Sequence, residues 1–270
     1  MKWIFNKLGN IRTLGIIAFI GFPGVFLSHN IYCSGIVILE KPWNPVFALG
    51  IGSSSVSTIN QSQSFPIQNQ ITDEFYEYTA QHSSRNSALF EMFIGAESNL
   101  NARWKIQPGV DYNTTPRPFS AEGIFVQGAD VQSADVFGYH FNAVSQQLMA
   151  SAKLLYQFHS KYHSYLFAGL GASFNRAYNY HTTVPYYLTF TRMYQDNTHT
   201  SLSYALGLGI DMTITTSMRL GLGYRYTDLG SLQLGNAYID TTQVSGTLSN
   251  AKLHANQFLV QATWIFNQDK

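Results

Sequence analysis

The chain has 270 residues, with 16 Lys+Arg against 15 Asp+Glu, and its charged residues make up 11% where an ordinary soluble domain has roughly 25%. That is too little charge to coat a water-soluble fold of this size, and a formal charge of +1 without any Lys/Arg block excludes a nucleic-acid binder. With 45% hydrophobic and 15% aromatic residues, the chain is no disordered segment either.

The first element is a leader. Lys2, Lys7 and Arg12 give a positive start, and residues 14–27 (LGIIAFIGFPGVFL) are almost purely apolar. This run is shorter than the roughly 20 residues a spanning helix needs, and Pro23 would kink it. It therefore reads as a secretory signal rather than a membrane anchor. Small residues at Ser28, Ser34 and Gly35 offer cleavage sites, which gives a leader over 1–35 and one further domain over 36–270. Cys33, the only cysteine, lies inside the leader, and the bulky Tyr32 before it fits a lipoprotein signal poorly. The processed chain is then expected to hold no disulfide and no thiolate metal cluster. Loss of the three basic residues takes its formal charge to −2. No later apolar run approaches about 18 residues, so any membrane crossing beyond the leader would use strands.

The dominant pattern after the leader has a period of two, the signature of strands. It predicts eight segments. Residues 45–56 set Phe47, Leu49 and Ile51 against Ala48, Gly50 and Gly52. Residues 86–98 set Phe90, Met92 and Ile94 against Glu91, Gly95 and Glu97, with Phe93 out of pattern. In residues 102–113, Trp104, Ile106, Val110 and Tyr112 alternate with Arg103, Lys105, Gln107 and Asp111, and Pro108 falls on the apolar parity. Residues 141–157 carry Leu148, Ala150, Ala152, Leu154 and Tyr156 against Gln147, Ser151 and Lys153, blurred by Met149 and Leu155. The remaining four are 164–175, 201–212, 218–227 and 254–266, the last with Phe258, Val260, Ala262, Trp264 and Phe266 on one side.

Connections alternate between short (99–101, 158–163, 213–217) and long (57–85, 114–140, 176–200, 228–253). Short turns at one rim and long loops at the other describe an all-β, eight-stranded antiparallel up-and-down barrel. Alternation alone would also suit a secreted lipocalin-like barrel, so the orientation of the faces must be argued. The non-apolar face consists of Gly, Ser, Ala and Gln with few charges, too sparse for a solvated exterior. The apolar face ends in Trp104, Tyr112, Tyr156, Tyr224, Tyr226, Trp264 and Phe266, as interfacial girdles require. A closed barrel is also the one strand architecture that pairs every backbone group in lipid. The expectation is a transmembrane barrel in a bacterial outer membrane, with short periplasmic turns and long extracellular loops.

Residues 220–230 (LGLGYRYTDLG), residues 165–171 (YLFAGLG) and the closing strand resemble the OmpA/opacity-protein-like family of small outer-membrane β-barrels. The resemblance spans about 40–270 and implies a surface antigen or anchor of the outer membrane, in contact with its lipid. It also implies that the barrel-assembly machinery reads Phe258, Val260, Ala262, Trp264 and Phe266 as a C-terminal signal. Asn267, Gln268, Asp269 and Lys270 depart from that pattern by extending past the last aromatic residue. No peptidoglycan-binding domain follows, so that activity is not implied.

Strand parity places Glu91, Glu97, Asp111 and Asp211 in the lumen with Arg103, Lys105, Lys153, Arg219 and Arg225. Near-balance of sign predicts a paired network that plugs the pore, since isolated buried charges are costly. Asp211 and Arg219 flank one short turn and are expected to pair. Function falls to the long loops, where aromatic residues suit partner contact: Phe75, Tyr76 and Tyr78 in the first, Tyr186 and Tyr187 in the third. The competing use of such residues is a cap folded over the mouth.

His82-Ser83-Ser84, His159-Ser160 and His163-Ser164 supply no converging Ser–His–acid set. No catalytic site, metal site or cofactor is expected; His181 and His199 share a loop and could bind a metal, but scattered surface histidines are the better reading. The expected function is non-enzymatic, with loops for adhesion, host interaction or envelope integrity. A narrow passive channel is the alternative, and a lipid-modifying enzyme the third reading.

Overall fold

The computed structural model describes residues 43–68, 73–82, 84–128, 134–186, 191–249 and 251–266, within one compact unit over Leu39–Lys270. The expected leader, Cys33, Tyr187 and residues 267–270 lie outside the described residues. The strands in chain order are β1 (Asn44–Asn60), β2 (Ser62–Gln68), β3 (Asp73–Ala80), β4 (Ser84–Asn99), β5 (Trp104–Thr114), β6 (Phe119–Gly128) and β7 (Asp135–His159). They continue with β8 (Tyr162–Thr182), β9 (Met193–Tyr194), β10 (Asn197–Thr215), β11 (Met218–Leu232), β12 (Asn236–Ile239), β13 (Thr242–Thr247) and β14 (Ala251–Ile265).

The antiparallel pairings form a closed circuit. β1 pairs with β14 and β4, then β4 with β5 and β5 with β7. β7 pairs with β8, β8 with β10, β10 with β11, and β11 with β14 again. Each predicted segment falls on one strand of this circuit, except that Ala102 and Arg103 lie in the turn before β5 and Phe266 lies just after β14. The strands join in hairpins at one end: Asn101 Oδ1 accepts from the N–H groups of Arg103 and Trp104, both at 2.9 Å, fixing the β4–β5 turn. At the same end Phe266 N–H donates to the Pro45 carbonyl at 2.9 Å, so the first and last strands meet.

Side chains sort by parity. Leu202 (74% exposed), Leu222 (64%) and Leu208 (58%) project outward with Ile51, Leu166 and Phe258, while Ser203, Asp211, Arg219, Gln257 and Gln261 are buried inside. An outer surface of this kind is stable only against acyl chains. Trp104 stacks beside Tyr156 and Phe47 beside Trp264 at the hairpin end of this row, at 4.9 and 5.9 Å between ring centres. The residues that break the sequence pattern turn inward: Phe93, Met149, Leu155, Phe167 and Leu259 are buried. Room for Phe93 comes from Gly95 and Gly109, which face each other across β4 and β5. A Cβ on either would come within 2.7 or 2.6 Å of the Phe93 ring.

The strands run well past the apolar row. β7 has 25 residues, about 80 Å at roughly 3.3 Å each, where a tilted membrane strand needs about 9–11 residues. The four expected long loops are therefore corrected. β2, β3 and β6 add to the wall, in the order β2-β3-β6-β7, and β13-β12-β9 form a small second sheet. Their outward residues are mixed, with Ser62, Ser64 and Glu77 exposed alongside Ile124, while Phe65, Tyr76, Tyr78 and Phe125 turn inward. On β11 the register with β14 shifts between Asp228 and Gly230. Gly230 has a positive φ of 73°, and its N–H donates to Asp228 Oδ1 at 2.7 Å. That is a glycine bulge, which raises the local twist where the wall leaves the apolar row.

Leu208→Arg is predicted to destabilise the barrel folded in phospholipid by about 2–4 kcal/mol, the cost of arginine near a bilayer midplane, measured by reversible urea unfolding.

Candidate functional site

Two clusters inside the cylinder carry its chemistry. The first is the charged interior, which lies in two layers. Nearer the hairpin end, Arg219 of β11 grips Glu97 of β4 with both terminal nitrogens, Nη1 to Oε2 at 2.6 Å and Nη2 to Oε1 at 2.8 Å. Gln107 donates to Glu97 Oε2 at 2.5 Å and Lys105 Nζ to Oε1 at 3.2 Å. Glu97 is thus held by a bidentate guanidinium, the strong form of this pair. In the upper layer Arg225 Nη2 donates to Glu91 Oε1 at 3.1 Å and Nη1 lies 3.5 Å from Asp111 Oδ1. Gln261 donates to Glu91 at 2.9 Å and accepts from Lys153, while Lys153 Nζ lies 3.8 Å from Asp211. The Arg225 guanidinium also stacks 3.9 Å from the Phe167 ring centre, and Lys153 Nζ sits 4.4 Å above Tyr165.

Two sequence expectations are corrected here. Arg103 is not in the lumen: it is exposed in the turn before β5, because the chain bends there and strand parity ends at Trp104. Asp211 does not pair with Arg219. The β10–β11 register sets Asp211 opposite Gly221 and Arg219 opposite Thr213, one layer lower, where Glu97 is within reach. The remaining eight charged residues named from parity face the interior, with Lys105 partly exposed.

The second cluster fills the long-connection end. Phe65, Tyr76, Tyr78, Phe119, Phe125, Tyr139, Phe141, Tyr180 and Tyr194 are buried together with Leu229, Leu232, Leu234, Leu248 and Leu253. Tyr78 lies at the centre, stacked on Phe125 at 5.0 Å and edge-on to Phe65, Tyr139 and Tyr194. Such packing adds about 0.5–1.5 kcal/mol per pair beyond area burial. Arg192, 1% exposed, penetrates this core. Its guanidinium lies 4.2 Å from the Phe65 ring centre and donates to the Ser245 carbonyl at 2.5 Å. One side chain so ties the first, third and fourth long connections together. Sequence reasoning passed over Arg192, whose neighbourhood carries no pattern that marks burial.

The expected contact residues are corrected accordingly. Tyr76 and Tyr78 are fully buried and form core, not surface. Phe75 is half-buried on the outer side of β3, and Tyr186 is 96% exposed. Below the aromatic core, a void of about 10 Å³ bounded by Leu89, Gln147, Leu229 and Gln257 has room for one water.

The His–Ser pairs do not assemble. His82 Nδ1 meets the Thr58 carbonyl at 2.8 Å and Ser84 Oγ meets Ser55 Oγ at 3.0 Å. His159 Nδ1 lies 3.3 Å from Ser160 Oγ in an exposed hairpin turn, and His163 is buried in the lumen. No group of three or more His, Cys, Asp or Glu arranged to hold a metal ion occurs among the described residues. Of the C-terminal set, Phe258, Val260 and Phe266 are exposed on the outer wall, with Ala262 and Trp264 half-buried on the same side.

A closed wall of antiparallel strands, greasy outside and ion-paired within, is the build of an outer-membrane barrel. The family model for the outer membrane protein beta-barrel domain matches residues 46–266. The chain belongs to this family and is an integral outer-membrane protein. No curated protein matches the sequence. Among solved structures, the chain is similar to Neisserial surface protein A at 13% identity, covering 82% of this chain and 97% of that one, with a TM-score of 0.37. It is similar to Ail, the attachment invasion locus protein of Yersinia pestis, at 10% identity over 82% and 98% of the two chains, TM-score 0.33. It is also similar to the outer membrane protease OmpT from Escherichia coli at 8% identity over 83% and 96%, TM-score 0.44. The assignment rests on the family match and the closed wall.

Two predictions come from these clusters. Glu97→Ala leaves Arg219 buried without its carboxylate and is expected to cost about 3–5 kcal/mol, whereas Glu97→Leu with Arg219→Leu together is expected to be near neutral or stabilising, both read by urea unfolding in lipid. In the aromatic core, burial foremost, with Tyr180 and Tyr194 beside it, pushes the Tyr78 phenol far above its ordinary range. The folded state then holds that proton more tightly than the unfolded chain. The stability it contributes is complete below about pH 10 and falls as pH rises above it. Alkaline titration at 295 nm should show the Tyr78 absorbance step, taken as wild type minus Tyr78→Phe, only together with unfolding.

Proposed function

We propose that the chain is a non-enzymatic surface protein of the outer membrane: an eight-stranded barrel with short turns in the periplasm and the long connections outside the cell. A leader over 1–35 is removed on export, and the barrel-assembly machinery reads Phe258, Val260, Ala262, Trp264 and Phe266. The outer surface of the long-connection end then meets host or envelope proteins. The carrying observation is that ion pairs at Glu97 and Glu91 cross the interior and an aromatic core around Tyr78 occupies the long-connection end. An interior so occupied favours a closed barrel over a channel and assigns function to the external surface, where Tyr186 is 96% exposed. The engagement of His82 with the Thr58 carbonyl and of Ser84 with Ser55 supports a non-catalytic reading of that pair.

The purified barrel in planar bilayers is expected to give no resolvable single-channel current; a steady ohmic conductance would favour the channel reading instead. Tyr186→Ala should leave the heat-modifiable mobility of the folded barrel intact while weakening cell-surface adhesion.

A further inference from the structure

The outer wall at the long-connection end brings together two histidines that lie far apart in sequence. His140 of β7 and His181 of β8 are direct cross-strand partners. Their ring centres are 5.4 Å apart with the planes 34° from parallel. Both side chains are exposed, so neither imidazole is engaged in the aromatic core behind them. On the other side of His140, β6 places Glu122 directly opposite. The row Glu122, His140, His181 thus crosses three neighbouring strands on one face. Glu122 is itself in a surface pair with Arg85 at 2.9 Å, both side chains being solvent-accessible.

We propose that His140 and His181 chelate a divalent late first-row transition ion, Zn²⁺ or Cu²⁺, with water completing the shell. Neutral imidazole nitrogen is a preferred donor for these ions. With a metal–nitrogen distance of about 2.0–2.1 Å, two rings on one tetrahedral or square-planar ion have centres about 4.5–5.2 Å apart. The observed 5.4 Å is reached from that geometry by side-chain rotation alone. The strands hold the two Cα atoms in register, so little ordering remains to be done on binding. A bound ion would tie β7 to β8 across the wall and raise resistance to unfolding.

The test uses the processed barrel folded in detergent micelles. Calorimetric titration with Zn²⁺ is expected to show one ion per chain, and Cu²⁺ electron paramagnetic resonance should show coupling to two nitrogens. His140→Ala and His181→Ala should each weaken Zn²⁺ binding by about tenfold or more. In the unaltered barrel, Zn²⁺ should protect both histidines from diethylpyrocarbonate, read by mass spectrometry, so the result does not depend on any variant folding. Unchanged affinity in the double variant, protection of other histidines, or no protection at His140 and His181 would overturn the proposal.

Discussion

A peptide group in hydrocarbon has no water to bond, so every N–H and C=O in the membrane-crossing part must find a partner in the protein. The rest of this structure follows from that demand. Strands meet it only by closing on themselves, which they do through the β7–β8 and β1–β14 pairings. Closure then fixes what each residue faces. Between its bulges the wall alternates in parity, so the leucine row outside leaves the inside to small and polar residues and a few inward apolar ones such as Phe93 and Met149.

The interior is the consequence that shapes function. A small closed circuit of strands leaves a core about as wide as side chains can fill. Glycine, serine and alanine line much of it, and what remains is taken by large residues in two chemistries. Ions sit at the membrane level, where Glu97 and Arg219 satisfy each other across the lumen. Aromatic residues sit above it, where the wall widens with β2, β3 and β6 and a hydrophobic core becomes possible. Arg192 joins the two styles: a cation that has entered an aromatic core and is held by ring faces and carbonyls.

Much of this was legible in the sequence, and the limits have physical causes. The period-two rows located all eight circuit strands because one face had to be apolar throughout. The ends were set short, since above the bilayer the outward residues are mixed and the contrast fades; β7 runs to Asp135 rather than 141 for that reason. Tyr76 and Tyr78 looked like contact residues because aromatic chains in a long connection have two uses, and only the pairing of β3 with β6 shows which applies. Arg103 followed parity into the lumen on paper, yet a turn interrupts the parity one residue before Trp104. The Glu97–Arg219 pair lies 122 residues apart in sequence, and His140 meets His181 only through the β7–β8 register. Contacts of that range depend on ring order, which local pattern does not encode.

The orientation of the wall is the claim on which the account stands, and spin labelling along β10 tests it most directly. With Cys33 replaced by serine, single cysteines at each position from 202 to 211 would carry a nitroxide in lipid vesicles, and collision with oxygen and with a polar nickel chelate would be measured. The account predicts a period of two: labels at Leu202, Tyr204, Leu206, Leu208 and Ile210 collide freely with oxygen and hardly with nickel, and labels at the intervening sites collide little with either. High nickel accessibility at the leucine positions, or the loss of alternation, would contradict it.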